Sequence, residues 1–402
     1  MIHLNRPFRF QSFGFLILLF RRWLVTWKNS GKLSENIENF VKETSSWNKH
    51  HFRNIFEKKK KIKARLNGIQ RALAINPSPS LIHLESQLLK DFDVVCGQET
   101  ELWALKARIN WLVLRDRNTS FYHILALTRR KQNLITSVKN GASDWIMEER
   151  EVMNFFREGF YKLYTTAQES ASGNISYNSH WQAKILEEES ASISHLVTEE
   201  EISVALWSLK AFKAPGLNGL HAGFFHRFWI TVGDSVREEV KKAFRERKIP
   251  KYLNNTSIVL IPKMQGPESI GNYRPISLCN SVYKIISKVL VGRIRPLLDR
   301  IISPYQAAFV PDKKGVDNAI IVQEIIHTIG KTRGKVGYMT LKIDLEKAYD
   351  KLEWSFIRCM LQRFNFLDIL IEIIMSCITT ATTSILFNGG SLEPFEPTRG
   401  IR

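Results

Sequence analysis

The residues with the clearest capacity for chemistry lie late in the chain, in Leu341-Lys-Ile-Asp344-Leu-Glu-Lys-Ala-Tyr349-Asp350. Gly337 to Ile343 alternates with the two-residue period of a strand: Met339, Leu341 and Ile343 share one face, while Tyr338, Thr340, Lys342 and Asp344 share the other. A carboxylate at the end of a rigid strand suits a ligand to divalent ions. Two such ions can activate a hydroxyl and stabilise a pyrophosphate leaving group. A strand-terminal Asp more often caps the following helix, and Asp350 can do the same.

Other common chemistries lack their residues. The sequence has no G-x-x-x-x-G-K-S/T, no G-x-G-x-x-G after a strand, no H-E-x-x-H and no G-x-S-x-G. Its ten His are scattered, and His50-His51 lacks the spacing of a zinc site.

A second set of residues suits phosphate rather than catalysis. Between Lys49 and Arg65 stand eight Lys or Arg against Glu57 alone, including Lys58, Lys59, Lys60 and Lys61. Such a run is either a solvated helix face or a surface that follows phosphates and releases their counterions. Arg129-Arg130-Lys131 continues it, with Trp103, Trp111, Phe121 and Tyr122 interleaved among nearby cations. Cations with aromatics suit a stacked single strand, although spacing alone favours a core role for these rings.

The elements that must position these groups follow from periodicity. Residues 35 to about 165 read as basic and mostly helical, broken at Asn76-Pro-Ser-Pro-Ser80. Residues 166–195 have the composition of a linker. Thr198-Glu-Glu-Glu201 opens a helix with a capping box. Lys213-Ala-Pro-Gly-Leu-Asn-Gly219 is a loop, and a basic amphipathic helix then runs to Ile249-Pro250. Ser257–Pro262 reads as a strand, Val282–Leu297 as an amphipathic helix, and 368–381 as another helix. A hairpin turns around Gly389-Gly390. The fold class is α+β.

Composition narrows the partners. The 402 residues carry 58 Lys and Arg against 39 Asp and Glu, a net charge of +19. A polyanion would relieve that self-repulsion, nucleic acid before an acidic membrane. Cys96, Cys279, Cys359 and Cys377 form no C-x-x-C pair, which fits a reducing, intracellular setting. Phe13–Phe20 is an apolar run of eight, too short to span a bilayer, and Arg21-Arg22 follow where a signal peptide has small residues.

From Leu196 onward the motifs resemble, in order, the reverse transcriptase of plant LINE-type non-LTR retrotransposons. Lys213–Gly219 is similar to that family's K-A-P-G-P-D-G loop. Val259–Lys263 and Asn272–Leu278 are similar to its fingers motif, and Gln306–Pro311 with Asp317-Asn318 to the next. Asp344 to Asp350 resembles the first palm motif, and Gly400-Ile-Arg402 the opening of the one after. Trp111–His123 and Arg129–Ile135 resemble the segment upstream of the domain.

The resemblance implies a right-hand polymerase fold, here incomplete: a basic helical region at 1–165, a linker at 166–195, then fingers and a partial palm at 196–402. It implies RNA-directed DNA synthesis, with Asp344 as the catalytic metal ligand for Mg²⁺. Tyr349 would be the steric gate against a ribose 2′-hydroxyl. Lys263 and Arg274 would hold the incoming deoxynucleoside triphosphate, on an RNA template and a DNA primer, in the nucleus or cytoplasm and without a membrane. Lys58–Lys61, Arg129 and Arg130 would hold nucleic acid. The family's aromatic-Ala-Asp-Asp turn is absent, and Leu217-Asn218, Asp312-Lys313 and Arg115-Asp116 depart from its pattern. The expectation is therefore a partial copy that does not polymerise alone. The alternative is a non-catalytic, basic RNA- or DNA-binding protein.

Overall fold

Prolines and caps set the boundaries of the first helices. The computed structural model describes residues 4–10, 27, 31–51, 55–107, 119–166, 183–307, 310, 313–333 and 337–401. The apolar run Phe13–Phe20, Trp111 and Arg115-Asp116 lie outside them. Helices α1 (Leu33–His51), α2 (Ile55–Ile75), α3 (Pro79–Ala107) and α4 (Thr119–Gln132) come first. α2 stops one residue before Asn76-Pro77, and Pro79 opens α3, where a missing N–H costs no helical bond. α2 and α3 share a small core of their own, built on Ile62, Leu66 and Ile69 of α2 and on Leu88, Val95 and Leu102 of α3.

A short hairpin follows, β1 (Val138–Lys139) with β2 (Trp145–Ile146), and then α5 (Glu149–Tyr164). α6 (Glu199–Trp207) begins with the expected capping box. The Thr198 hydroxyl accepts from the Glu201 N–H at 3.2 Å, and the Glu201 carboxylate accepts from the Thr198 N–H at 2.9 Å. α7 (Ala222–Glu246) precedes the strands β3 (Asn255–Pro262) and β4 (Tyr273–Leu278). The chain continues through α8 (Ser281–Ile294), α9 (Gly315–Lys331), α10 (Trp354–Arg363), α11 (Asp368–Thr379), β5 (Thr382–Phe387) and β6 (Gly390–Ser391).

The main helical core joins α6, α7, α8 and α11 through residues such as Leu206, Phe225, Val236, Ile285 and Ile371. α1 docks there too: the Phe40 ring centroid lies 4.9 Å from that of Phe224. The sheet has the order β4-β3-β5-β6, with β3 antiparallel to β4 and parallel to β5. Its Ile258, Leu260, Tyr273, Ile385 and Phe387 face α5, which contributes Val152, Phe156, Phe160 and Leu163. Between β5 and β6 the turn is Asn388-Gly389, with φ of 48° and 90°, the doubly positive pattern of a type I′ hairpin.

The mixed α+β class stands, with two corrections. Gly337–Ile343 forms no strand: Met339, Leu341 and Ile343 are 86%, 71% and 75% exposed, and Tyr338 is exposed as well. Alternation fixes which side chains would share a face, but a strand is held by a partner's hydrogen bonds. Among the described residues no strand pairs with this segment. Asp344 therefore sits in irregular chain just before a turn rather than at a strand terminus. Part of 166–195 is also more ordered in type than its composition suggests: Ile185 is buried and Glu187–Ser192 is a short helix. Among the described residues no helix is long and apolar enough to cross a membrane.

Candidate nucleotide and metal site

The β3–β4 hairpin places two cations side by side. Ile261 stands opposite Arg274 in the ladder, and the Lys263 N–H donates to the Asn272 carbonyl at 2.8 Å, one step beyond the last paired residues. Lys263 is thus two residues from Ile261 on the same face and a diagonal neighbour of Arg274, with Cβ atoms roughly 7 Å apart by strand geometry. Both side chains are exposed. The Lys263 ammonium donates to the Gly271 carbonyl at 2.8 Å, while the Arg274 guanidinium has no hydrogen bond among the described residues.

The turn that carries these cations is rigid. The Asn272 side-chain oxygen accepts from the N–H groups of Glu268 at 3.2 Å and Ser269 at 3.0 Å. Lys139 of β1 reaches Glu268 at 2.6 Å, so the small N-terminal hairpin braces the same turn. A planar fork beside a point charge, both solvent-facing and fixed from behind, suits the oxygens of a polyphosphate.

Asp344 is exposed and shares no hydrogen bond or ion pair with Lys263 or Arg274 among the described residues. The chain just after it is well fixed. The Tyr349 carbonyl accepts from the Ile401 N–H at 2.9 Å, and the Leu352 carbonyl from the Gly400 N–H at 2.8 Å. The Trp354 indole N–H donates to the Gly400 carbonyl at 2.9 Å. Gly400 has φ of 83°, and a Cβ there would lie 2.5 Å from the Asp350 carbonyl oxygen. The Tyr164 hydroxyl donates to the Asp350 carboxylate at 2.9 Å; burial first, then that carboxylate, raises the Tyr164 pKa. The structure thus joins the end of the motif at 344–350 to Gly400 and Ile401 through backbone. Tyr349 keeps its ring exposed beside them.

These residues do not make a two-ion site by themselves. Among the described residues no three side chains of His, Cys, Asp or Glu stand together as a metal cluster. The carboxylates nearest Asp344 in sequence are committed elsewhere: Glu346 to Lys351, Asp350 to Tyr164 and Glu353 to Arg399. Asp344 is one free carboxylate, and one carboxylate does not complete a ligand set for divalent ions.

The basic run separates into unequal members. Ile62, Leu66 and Ile69 turn one face of α2 into the core, which leaves Lys58, Lys60 and Lys61 exposed on the other. Lys59 is different, because its ammonium lies 2.5 Å from the Glu99 carboxylate of α3. That hydrogen bond raises the Lys59 pKa, and the charge it offers to solvent is already matched. Arg129 and Arg130 lie in the exposed last turn of α4 with Lys131, where cations also favour the helix dipole. Of the interleaved rings, Tyr122 is buried and Phe121 exposed.

Sequence reasoning missed the supports of the site. Tyr164 and Arg399 act across separations of up to 237 residues, and no local pattern marks such pairs.

Comparison with known proteins adds an independent finding. Residues 261–402 match the family described as reverse transcriptase (RNA-dependent DNA polymerase). The chain is 25% identical over 300 residues to the transposon TX1 uncharacterized 149 kDa protein of Xenopus laevis, covering 74% of this chain and 23% of that protein. It is 27% identical over 158 residues to the Pol polyprotein of the type-1 retrotransposable element R1 of Bradysia coprophila, covering 39% and 15%. With the Pol polyprotein of the type-2 element R2DM of Drosophila melanogaster the identity is 22% over 284 residues, covering 68% and 24%. The chain therefore spans less than a quarter of the length of each of these relatives.

Proposed function

We propose, from the premise that this chain carries a reverse transcriptase region of the non-LTR retrotransposon kind, that it supplies the nucleotide-holding part of RNA-directed DNA synthesis. The observation that carries the reading is the pairing of Lys263 and Arg274 on one open face of a braced hairpin, at the head of the family match. In this reading the two cations hold the triphosphate of an incoming deoxynucleotide. Tyr349 stands against a ribose 2′-hydroxyl, and Asp344 contributes one ligand toward Mg²⁺. Lys58, Lys60, Lys61, Arg129 and Arg130 track the RNA template or DNA primer, with Lys59 set aside by Glu99. The right-hand polymerase arrangement assigns 196–402 to fingers and part of a palm, 1–165 to a basic nucleic-acid-binding region and 166–195 to the connection between them. The setting is intracellular, nuclear or cytoplasmic.

The family's chemistry depends on divalent metal in general, which when bound supplies activation of the primer hydroxyl and neutralisation of the leaving pyrophosphate. Asp344 alone does not hold such a pair of ions, so this chain is expected to bind substrates without joining them. Primer extension on an RNA template with Mg²⁺ tests this. No incorporation is expected from the isolated chain; incorporation that Asp344→Asn abolishes would show that the carboxylates present suffice. The alternative, a basic RNA- or DNA-binding protein that is no reverse transcriptase region, is not favoured, because the family match covers the nucleotide-side residues as well as Asp344.

A further inference from the structure

A cavity of about 170 Å³ lies between the loop Lys213–Gly219 and the first turn of α8, walled by the apolar Leu209, Ala214 and Ala222 and by Lys210, Lys213, Ser281 and Lys284. Three lysines line it and no carboxylate does. None of the three takes part in an ion pair among the described residues, unlike Lys59, Lys139, Lys241 and Lys251. Lys284 is half-buried, and its ammonium donates to the Ala214 carbonyl at 3.3 Å, so it reaches across the cavity to the loop instead of out to solvent. Desolvation lowers its pKa, because burial disfavours the charged form and outweighs the opposing influence of Cys279. The first turn of α8 carries no acidic residue.

The walls are fixed. Asn280 accepts from the Asn218 N–H at 3.3 Å and donates to the Leu253 carbonyl at 3.1 Å, tying the loop to the body of the protein. Gly216 packs so closely that a Cβ would stand 2.4 Å from the Asn280 side-chain oxygen. Ser281 donates to the Leu220 carbonyl at 2.7 Å. At roughly 30 Å³ per water, the space holds a phosphate group and a little solvent.

We propose that this cavity is a phosphate-binding site, distinct from the Lys263–Arg274 face, in which Lys210, Lys213 and Lys284 converge on one phosphate group. The group is either a phosphodiester of a bound strand or the phosphate tail of a free nucleotide. Its recognition is by charge and geometry, since the cavity wall offers no aromatic ring for a base.

Pyridoxal 5′-phosphate tests the site on the whole chain. Its phosphate would seat among the lysines while a neighbouring amine condenses with its aldehyde, losing water; borohydride then reduces the imine and fixes the label for peptide mapping. Labelling is expected to concentrate on Lys284 and its two neighbours and to fall when inorganic pyrophosphate is present. Lys210→Gln with Lys213→Gln, both exposed positions, should leave Lys284 in place and weaken the pyrophosphate protection about tenfold or more. Protection at lower phosphate concentration by an RNA oligomer without terminal phosphate assigns a strand; protection at lower concentration by dTTP assigns a nucleotide. The readout is the Lys284 peptide, so binding at Lys263 and Arg274 does not mimic it. Labelling spread over exposed lysines, or labelling of Lys284 that pyrophosphate fails to reduce, would overturn the proposal, as would protection undiminished in the double variant.

Discussion

Gly400 shows how one residue holds the neighbourhood of the candidate metal ligand. Its φ is left-handed, and its missing Cβ makes room for the Asp350 carbonyl at a backbone crossing that no side-chain rotation relieves. Gly400→Ala is expected to destabilise the protein by about 2 kcal/mol or more, read as a lower urea midpoint. Ala at Gly266, also left-handed but with open space around it, should cost less. Two titratable groups, the half-buried Glu201 and the buried His221, contribute to the acid response. Burial pushes the Glu201 carboxyl up, but hydrogen bonds from Arg293 and the Thr198 N–H outweigh it and hold the pKa at about 2. Arg293 is itself buried, bonded to both Glu201 oxygens at 2.7 and 2.9 Å and to the His195 carbonyl at 2.8 Å. Burial lowers His221 from 6.5 to about 4. Both groups bind protons more readily when unfolded, so each contributes stability at neutral pH that acid removes. The His221 share disappears as pH falls from 6.5 toward 4, and the Glu201 share from 4.5 toward 2. The melting temperature should therefore fall through both windows. In His221→Asn, which keeps a capping side chain for the Phe224 N–H, the upper window should flatten. An unchanged slope there would contradict the assignment.

At the scale of elements, local rules carried far. The Thr198 capping box, the proline break before α3, the amphipathic α8 and the hairpin expected around Gly389-Gly390, whose turn falls one residue earlier at Asn388-Gly389, all follow from residues within a few positions of one another. What was not legible needed a distant partner. The alternation of 337–343 names a face but not the edge it would pair with. β4 was visible only as a motif, and α9 was not expected. α9 buries none of its residues, and it exposes Ile321, Val322, Ile325 and Ile326, so its sequence gave no separation of a core face that the structure uses. The cationic run was legible as a face, but the withdrawal of Lys59 was not, because Glu99 approaches from 40 residues away. The element-scale prediction follows from that division. Lys60→Gln with Lys61→Gln should lower the slope of log affinity against log salt by about 2 for RNA or DNA, uniformly over sequences. Lys59→Gln should change the slope little and lower stability instead. Equal effects at the three positions would refute the distinction.

The molecule as a whole divides its tasks by how its parts are built. The net charge of +19 gives it a field that attracts polyanions from any direction. The sheet, braced by α5 on one face, converts part of that field into a fixed pair of cations at the β3–β4 turn. Asp344 shares no bond with that pair among the described residues, and its sequence neighbours are already bonded, so the proposed function treats nucleotide binding and turnover as separable. The most direct test is the affinity of the whole chain for dTTP, measured by equilibrium titration for wild type, Arg274→Gln and Asp344→Asn. The reading predicts saturable binding that Arg274→Gln weakens about tenfold or more, through loss of a charged fork, while Asp344→Asn leaves it nearly unchanged without metal. Binding insensitive to Arg274, or no binding at all, would contradict it.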